Sequence, residues 1–422
     1  MNMNVINQKC LDYFKNLLDE EEFEMFIAQM KGEGALKKAL RINTLLAKKG
    51  KKEIAGDFTK LEKIPWSENG YFYESQESIG NTKSYKEGKV YSQEASSQIA
   101  VELLEPQEKD YILDLCASPG SKTTHIAANI QNNAAVIANE IAPDRYVKLR
   151  NNLRDFGSVC HAITALDPKY FAQNYPNSFD KILVDAPCSG EGMYFKFPAV
   201  LQHWNIKTVK FNAKRQKKIL AHAFEALKPG GRLVYSTCTL NLEENEKVIA
   251  HILKKYFGNA EIVNIDMKKI GLYAKGGEYK AKESMLKMWP HKWNTGGFFA
   301  CILTKKAATE EKKRDVSKAH LTSRQRRQEA HKKERINVRS GWKPCQAKEA
   351  LSVLTMLNKH CDAEVSLPEG FAIVKNNGEY FLQHHSLYRK FAHMPIRSAG
   401  VKILDAHQKP TSDALRWLKT TS

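Results

Sequence analysis

The chain has 422 residues, 42% of them hydrophobic, with 18 Phe, 16 Tyr and 6 Trp. That is enough apolar material to fill a core, which excludes global disorder, and the length suits about two to three domains. The 66 Lys and Arg against 47 Asp and Glu leave a charge of +19, which points to a polyanionic partner without naming it.

The sequence contains no run of about 18 apolar residues, so no membrane span is expected. The opening Met1-Asn2-Met3-Asn4 has neither the basic nor the apolar region of a secretory leader. Eight scattered cysteines in such a chain read as free thiols in a reducing, cytoplasmic setting rather than as a disulfide framework. His125, His203 and His291 have no metal-ligand spacing with the cysteines, so no metal is expected.

In chain order, residues 1–88 combine an amphipathic helical pattern (Leu11, Phe14, Leu17, Leu18, Phe23, Phe26, Ile27) with short strands such as Ala39-Leu40-Arg41-Ile42-Asn43. Residues 89–306 alternate strand and helix, the pattern of a doubly wound, Rossmann-like α/β sheet, mostly parallel with one antiparallel strand. Its predicted strands are Tyr111–Cys116, Ala134–Asn139, Val159–Ala165, Lys181–Ala186 and Arg232–Thr237. Helices are predicted at Pro143–Phe156 and Lys207–Leu227. A last strand pair, Glu261–Ile265 and Phe298–Thr304, brackets a longer excursion. Residues 307–422 carry 22 Lys and Arg against 12 Asp and Glu, densest between Lys312 and Arg339. A basic segment at 307–362 reads either as a solvated linker or as an arm on a nucleic-acid backbone. Residues 363–422 read as a small β-rich module with turns at Asn376-Asn377-Gly378 and Ser398-Ala399-Gly400.

The first predicted strand of the α/β region runs into Cys116-Ala117-Ser118-Pro119-Gly120-Ser121-Lys122 and then a helix. A tight loop with Gly at its close-approach position lets backbone N–H groups meet a ligand at a helix N-terminus. Twenty residues after Gly120, the second strand ends at Glu140, where an acidic side chain typically binds ribose hydroxyls. The loop has neither dinucleotide nor P-loop spacing, so an adenosyl ligand without phosphates fits, S-adenosylmethionine being the common one. Asp167 and Asp185 end the third and fourth strands and face the ligand crevice. Asp167 either hydrogen-bonds an adenine amine or caps the turn before Pro168. Lys122 steadies either the cofactor carboxylate or a phosphate.

Two cysteines fall at neighbouring strand ends, in Asp185-Ala186-Pro187-Cys188-Ser189-Gly190-Glu191-Gly192 and in Ser236-Thr237-Cys238-Thr239. For Cys10, Cys160, Cys301, Cys345 and Cys361 the expectation is packing. Cys238 precedes the helical pattern Asn241–Glu246, and a helix N-terminus raises a thiol's thiolate fraction.

Together, Asp114–Thr123, Asp185–Gly192 and Ser236–Thr239 with Glu243-Glu244-Asn245-Glu246 resemble the RNA cytosine-C5 methyltransferases of the Sun/nucleolar-protein class. Tyr91–Ser97 and Ala39–Thr44 match further segments of that family, the latter in its N-terminal RNA-binding portion. The layout is most similar to the bacterial branch acting on small-subunit ribosomal RNA, whose basic C-terminal extension ends in a module similar to the RNA-binding PUA fold. The resemblance implies that Cys238 adds to C6 of cytosine, that Cys188 assists release, and that Asp185 holds the N3 and N4 edge. It places S-adenosylmethionine on residues 116–122, Glu140, Asp167 and Asp185. The expected partner is ribosomal RNA or the small subunit, bound by a monomer. Three alternatives stand beside this. Cys188 is the nucleophile if the Pro-Cys of DNA cytosine methyltransferases is the guide; transfer RNA is the substrate; or the chain is a non-catalytic RNA-binding assembly factor. The charge distribution further predicts that deleting residues after 306 weakens RNA binding and leaves cofactor binding intact.

Overall fold

The computed structural model of the chain describes residues 6–32, 36–267, 284–309, 342–361, 366–391 and 393–421. Strands are β1 (Ala39–Ile42), β2 (Lys60–Lys63), β3 (Gly70–Glu74), β4 (Val90–Ser92), β5 (Tyr111–Asp114), β6 (Ala135–Asn139), β7 (His161–Thr164), β8 (Phe179–Asp185), β9 (Leu227–Thr237), β10 (Ala260–Val263), β11 (Met285–Met288) and β12 (Phe298–Lys305). Beyond residue 342 follow β13 (Lys343–Pro344), β14 (Phe371–Asn376), β15 (Glu379–His384), β16 (Ile396–Ala399) and β17 (Val401–Leu404).

The central sheet has the order β10-β12-β9-β8-β5-β6-β7-β16, with β11 also paired to β12. Its pairs β5–β6, β6–β7, β5–β8 and β8–β9 are parallel. The chain winds outward from β5 to β7 and then returns to place β8 on the other side of β5. The carboxyl ends of β5 and β8 therefore flank a switch point, where open α/β sheets leave a crevice for ligands.

Period-2 alternation explains how the sheet is covered on both sides. Leu113, Ile182, Val184, Leu233, Tyr235, Phe299 and Cys301 face the core of helices Ile206–Ala226 and Glu246–Lys255. Their neighbours Ile112, Leu183, Val234, Phe298 and Ala300 face helices Ala95–Leu104 and Ser121–Asn129.

The N-terminal region divides in two. Strands β2-β3-β1-β4 form their own antiparallel sheet, which extends to Ser92, past the expected boundary at 88. The helices Gln8–Lys15 and Glu20–Met30 instead pack on Tyr194, Leu201, Trp204 and Leu240. The second of these helices is well started: Asp19 accepts a hydrogen bond from the Glu22 N–H at 2.8 Å, and Glu20, Glu21 and Glu22 fill its first turn, which suits the positive end of the helix dipole. Trp289 meets Phe14 and Phe26 edge-on in this cluster.

Two expectations are corrected here. First, the sheet is not interrupted by one antiparallel strand alone. β12 runs antiparallel to β9, and β16, from the C-terminal region, runs antiparallel to β7. Second, residues 363–422 do not form a module packed apart from the α/β region. Leu387, Phe391 and Met394 are fully buried in the main core, and Phe391 stacks on Phe179 with ring centroids 5.4 Å apart. The remaining C-terminal strands form the sheet β13-β14-β15-β17, turning at Asn377 and Gly378, both of positive φ. The basic stretch Lys312–Arg339 lies outside the described residues. Among the described residues, no helix is long and apolar enough to cross a membrane.

Candidate active site

The loop after β5 is held from both sides. The Ala117 N–H donates to the Asn139 carbonyl at 2.9 Å. Arg145 donates to the Ser118 carbonyl at 2.6 Å, and Asn152 to that of Pro119 at 2.7 Å. Gly120 takes φ +106° at the start of helix Ser121–Asn129, in the left-handed region that disfavours a side chain. Beside the loop lies a cavity of about 580 Å³, within the range of small-molecule sites.

Cys116, Glu140 and Asp167 line this cavity, together with Pro187. Ala117–Lys122 and Asp185, expected on the same ligand, are not on its wall. Glu140 is buried; one oxygen accepts from the Ala142 N–H at 2.9 Å and the other lies 3.4 Å from the Arg145 guanidinium. Asp167 caps helix Pro168–Asn174 through the Lys169 N–H at 2.8 Å. The capping role is thus observed, while its place on the cavity wall keeps it beside any bound ligand. Behind the loop, Asp114 accepts from Thr123 Oγ1 at 2.6 Å. Burial, with Asp185 nearby, pushes its carboxyl up to about 7. The cavity size, and Glu140 just beyond the end of β6, suit a nucleoside cofactor.

Asp185 ends β8 beside Ser236 on β9, where the two residues are register partners. Lys122 Nζ meets one Asp185 oxygen at 2.6 Å, and Ser236 Oγ donates to the other at 2.9 Å. Lys122 therefore pairs with the aspartate in this structure. The Sγ atoms of Cys188 and Cys238 lie 3.4 Å apart. The hydrogen bond to Cys238 and burial hold the Cys188 thiol well above its ordinary value. The expected helix N-terminus beside Cys238 is not there. The helix begins at Glu246, and residues 238–245 form an irregular loop, so a helix dipole does not act on this thiol.

That loop and the Cys188 loop are tied together by two carboxylates without exposure, Glu191 and Glu244. Glu191 accepts from Trp204 Nε1 at 2.7 Å, from Asn241 Nδ2 at 2.9 Å and from the Leu240 N–H at 3.1 Å. Glu244 accepts from Gln216 Nε2 at 2.7 Å, from Asn241 Nδ2 at 3.0 Å and from the Ser189 N–H at 3.1 Å. Ser189 Oγ touches both carboxylates. Burial and then Glu191 push the Glu244 carboxyl up to about 7. Gly192 closes the arrangement: its N–H donates to the Cys238 carbonyl and its carbonyl accepts from the Gly297 N–H, both at 3.0 Å.

Two motif segments matched near the N-terminus meet in the tertiary structure. Arg41, fully buried, donates to Gln93 Oε1 and to Thr124 Oγ1, each at 2.9 Å. It braces the cofactor helix and so is shielded from RNA. Asp114, Arg41, Gln216 and the roles of Glu191 and Glu244 were missed in the sequence. Asp114, Arg41, Glu191 and Glu244 all lie in motif segments matched in the sequence, which was the signal for them; Gln216 had none. Cys10, Cys160 and Cys301 are buried, and Cys345 is half-buried; Cys361 ends helix Ala347–Cys361. Among the described residues, no cluster could hold a metal ion.

A Rossmann-like sheet with a nucleoside-sized crevice and reactive groups at the ends of β8 and β9 defines a methyltransferase of the class I kind. Comparison with known proteins narrows this. Residues 101–304 match the family described as 16S rRNA methyltransferase RsmB/F, and residues 6–95 match the N-terminal domain of 16S rRNA methyltransferase RsmF. The chain is 33% identical over 399 residues to ribosomal RNA small subunit methyltransferase F of Vibrio parahaemolyticus, covering 90% of this chain and 75% of that protein. With the protein of the same name from Shewanella loihica it shares 36% identity over 324 residues, 73% of this chain and 63% of that protein. The chain is thus shorter than these relatives. A methyltransferase homologue from Pyrococcus horikoshii superposes with a TM-score of 0.56 at 26% identity, over 71% of this chain and 99% of that one. NSun6 from the same organism gives 0.61 at 22% identity, over 71% and 98%, which shows the shared fold. The chain belongs to the ribosomal RNA small subunit methyltransferase F family, and its cofactor is S-adenosylmethionine.

Proposed function

We propose that this protein methylates C5 of a cytosine in small-subunit ribosomal RNA through a covalent cysteine adduct. The observation that carries the reading is the 3.4 Å approach of the Cys188 and Cys238 sulfurs, beside Asp185 and one residue from the cavity wall at Pro187. C5 of cytosine is a poor nucleophile. A bond from the Cys238 sulfur to C6 breaks the ring conjugation and places the displaced electron pair on C5, a case of nucleophilic catalysis. The Cys188 sulfur lies within hydrogen-bond reach of that sulfur. Asp185, fixed by Lys122 and Ser236, holds the N3 and N4 edge of the base as charge develops there. The cofactor supplies an electrophilic methyl group. Water takes the C5 proton, the C–H electron pair re-forms the C5–C6 double bond, and the C6–S bond breaks to release Cys238 as a thiolate, with Cys188 assisting that release.

In the same reading, Cys116–Lys122, Glu140, Asp167 and Asp185 form the cofactor side of the site, and Cys116, Glu140 and Asp167 would meet the ligand in the cavity. The target base must leave its stack to reach Cys238, which costs a few kcal/mol. The N-terminal lobe and a C-terminal module read as PUA-like offset this by binding RNA. The antiparallel sheet β13-β14-β15-β17 supports that reading of the module. Bisulfite sequencing of total RNA from cells with and without the gene tests the proposal. A lost methylcytosine in small-subunit ribosomal RNA is expected; a lost transfer-RNA position, or no lost position, overturns it.

A further inference from the structure

Helix Ile206–Ala226 presents two different faces. Val209, Ala213, Gln216, Ile219, Leu220, Ala223 and Phe224 are buried. Lys207, Lys210, Lys214, Arg215 and Lys218 are exposed, at the spacing that puts them on one stripe. Phe211 lies within the stripe at 68% exposure. None of these five cations is paired with a carboxylate among the described residues, and the helix contains a single acidic residue, Glu225.

The stripe leads to the active site. Gln216, on the buried face, donates to the Pro187 carbonyl at 2.9 Å and to Glu244, seating the helix on the loop that carries Cys188. Arg215 and Lys218 reach the wall of the cavity, where Lys169 joins them. S-adenosylmethionine carries a sulfonium and an ammonium against one carboxylate, so a cluster of unpaired cations here does not serve the cofactor. It suits a polyanion crossing the cavity mouth.

We propose that this helix face is a platform for single-stranded RNA. Lys207, Lys210, Lys214, Arg215 and Lys218 contact successive phosphates, and Phe211 stacks on a base flanking the one delivered to Cys238. The chemistry is that of sequence-tolerant single-strand binding, a basic track interrupted by an exposed aromatic ring. The inference rests on the proposed RNA methylation and adds a surface to it.

The test uses the full-length protein and a cytosine-containing single-stranded RNA oligonucleotide, with affinity measured over a series of salt concentrations. Phe211→Ala is expected to weaken binding roughly tenfold with the salt slope unchanged, and Phe211→Trp to restore it. Charge reversal of Lys207, Lys210 and Lys214 together is expected to weaken binding at least about tenfold and to reduce the slope of log affinity against log salt by about 2. These residues lie off the cavity wall, so calorimetric binding of S-adenosylmethionine remains at the wild-type value and reports that the variants are folded. Wild-type RNA affinity and salt slope in both variants overturn the platform, and assign the face to another partner or to solvent. The methylation reading fails separately, if the wild-type protein binds this RNA and no ribosomal cytosine depends on the gene.

Discussion

Cys188 and Cys238 sit on different loops, 50 residues apart in sequence, with their sulfurs 3.4 Å apart. Their contact depends on the parallel pairing of β8 with β9, which aligns Asp185 with Ser236. Cys188 then follows the end of β8 by three residues and Cys238 the end of β9 by one. The two thiols differ in environment: Cys188 is held protonated by its hydrogen bond to Cys238 and by burial.

That asymmetry makes the two cysteine variants distinguishable. Cys238→Ala is expected to abolish both methylation and adduct formation. Cys188→Ala is expected to slow turnover by about 10²–10⁴-fold, the range for loss of a proton-transferring group, while a Cys238–RNA adduct accumulates on a denaturing gel. Full turnover without an adduct in Cys188→Ala would remove the two-cysteine mechanism. An adduct through Cys188 in Cys238→Ala would reverse the assignment.

Lys122 and Ser236 fix the Asp185 carboxylate. Lys122→Met leaves a partly buried carboxylate without its charged partner, at a cost of about 1–3 kcal/mol. The expected signature is a fall in kcat larger than the change in cofactor affinity, since Lys122 lies off the cavity wall. Ser236→Ala removes one neutral donor and costs about 1 kcal/mol. Equal losses of cofactor binding and turnover in Lys122→Met would place the lysine on the cofactor instead.

Glu244 introduces a pH dependence of stability. Its carboxyl is pushed up to about 7 by burial and by Glu191, so between the unfolded value and about 7 the folded state binds the extra proton. Stability contributed by this group is therefore fully present at acid pH and falls as pH rises toward 7, then levels. Glu244→Gln keeps an amide in place of the protonated acid and should reduce that fall. Urea unfolding at several pH values between 5 and 8 compares the two proteins, and an unchanged pH profile in the variant counts against the proton on Glu244.

Truncation after residue 306 has a different outcome from the one that charge distribution alone suggests. Phe391 is buried without exposure among Phe179, Tyr175 and Tyr111, and β16 covers the edge of β7. Phe391→Ala should cost about 3–5 kcal/mol, and the truncated chain should lose thermal stability along with RNA affinity. A truncated protein that kept the wild-type unfolding temperature would restore the expectation that this region acts on RNA affinity alone.

Gly192 lies so close to the 297 backbone that a Cβ there would fall 2.1 Å from the Gly297 carbonyl oxygen. Gly192→Ala should separate the two loops and lower turnover, with cofactor binding retained. Its readout is single-turnover methylation; an unaffected rate would show that the loop positions are not fixed by this contact.

The sequence by itself determined the alternation of strands and helices, and it placed Cys116, Glu140, Asp167 and Asp185 at strand ends. Those features depend on local periodicity and on residue types at fixed offsets, which are written along the chain. It also marked Cys188 and Cys238 by motif. Only the tertiary structure decided that Lys122 pairs with Asp185, because that contact spans 63 residues and depends on which strands are neighbours. The same holds for Arg41 bracing the cofactor helix across 83 residues, and for β16 completing the main sheet. A short strand shows its period-2 pattern in sequence, but the sheet it joins is chosen by the burial of distant side chains such as Phe391. Charge counted by segment made the C-terminal region look separable, whereas packing made part of it core.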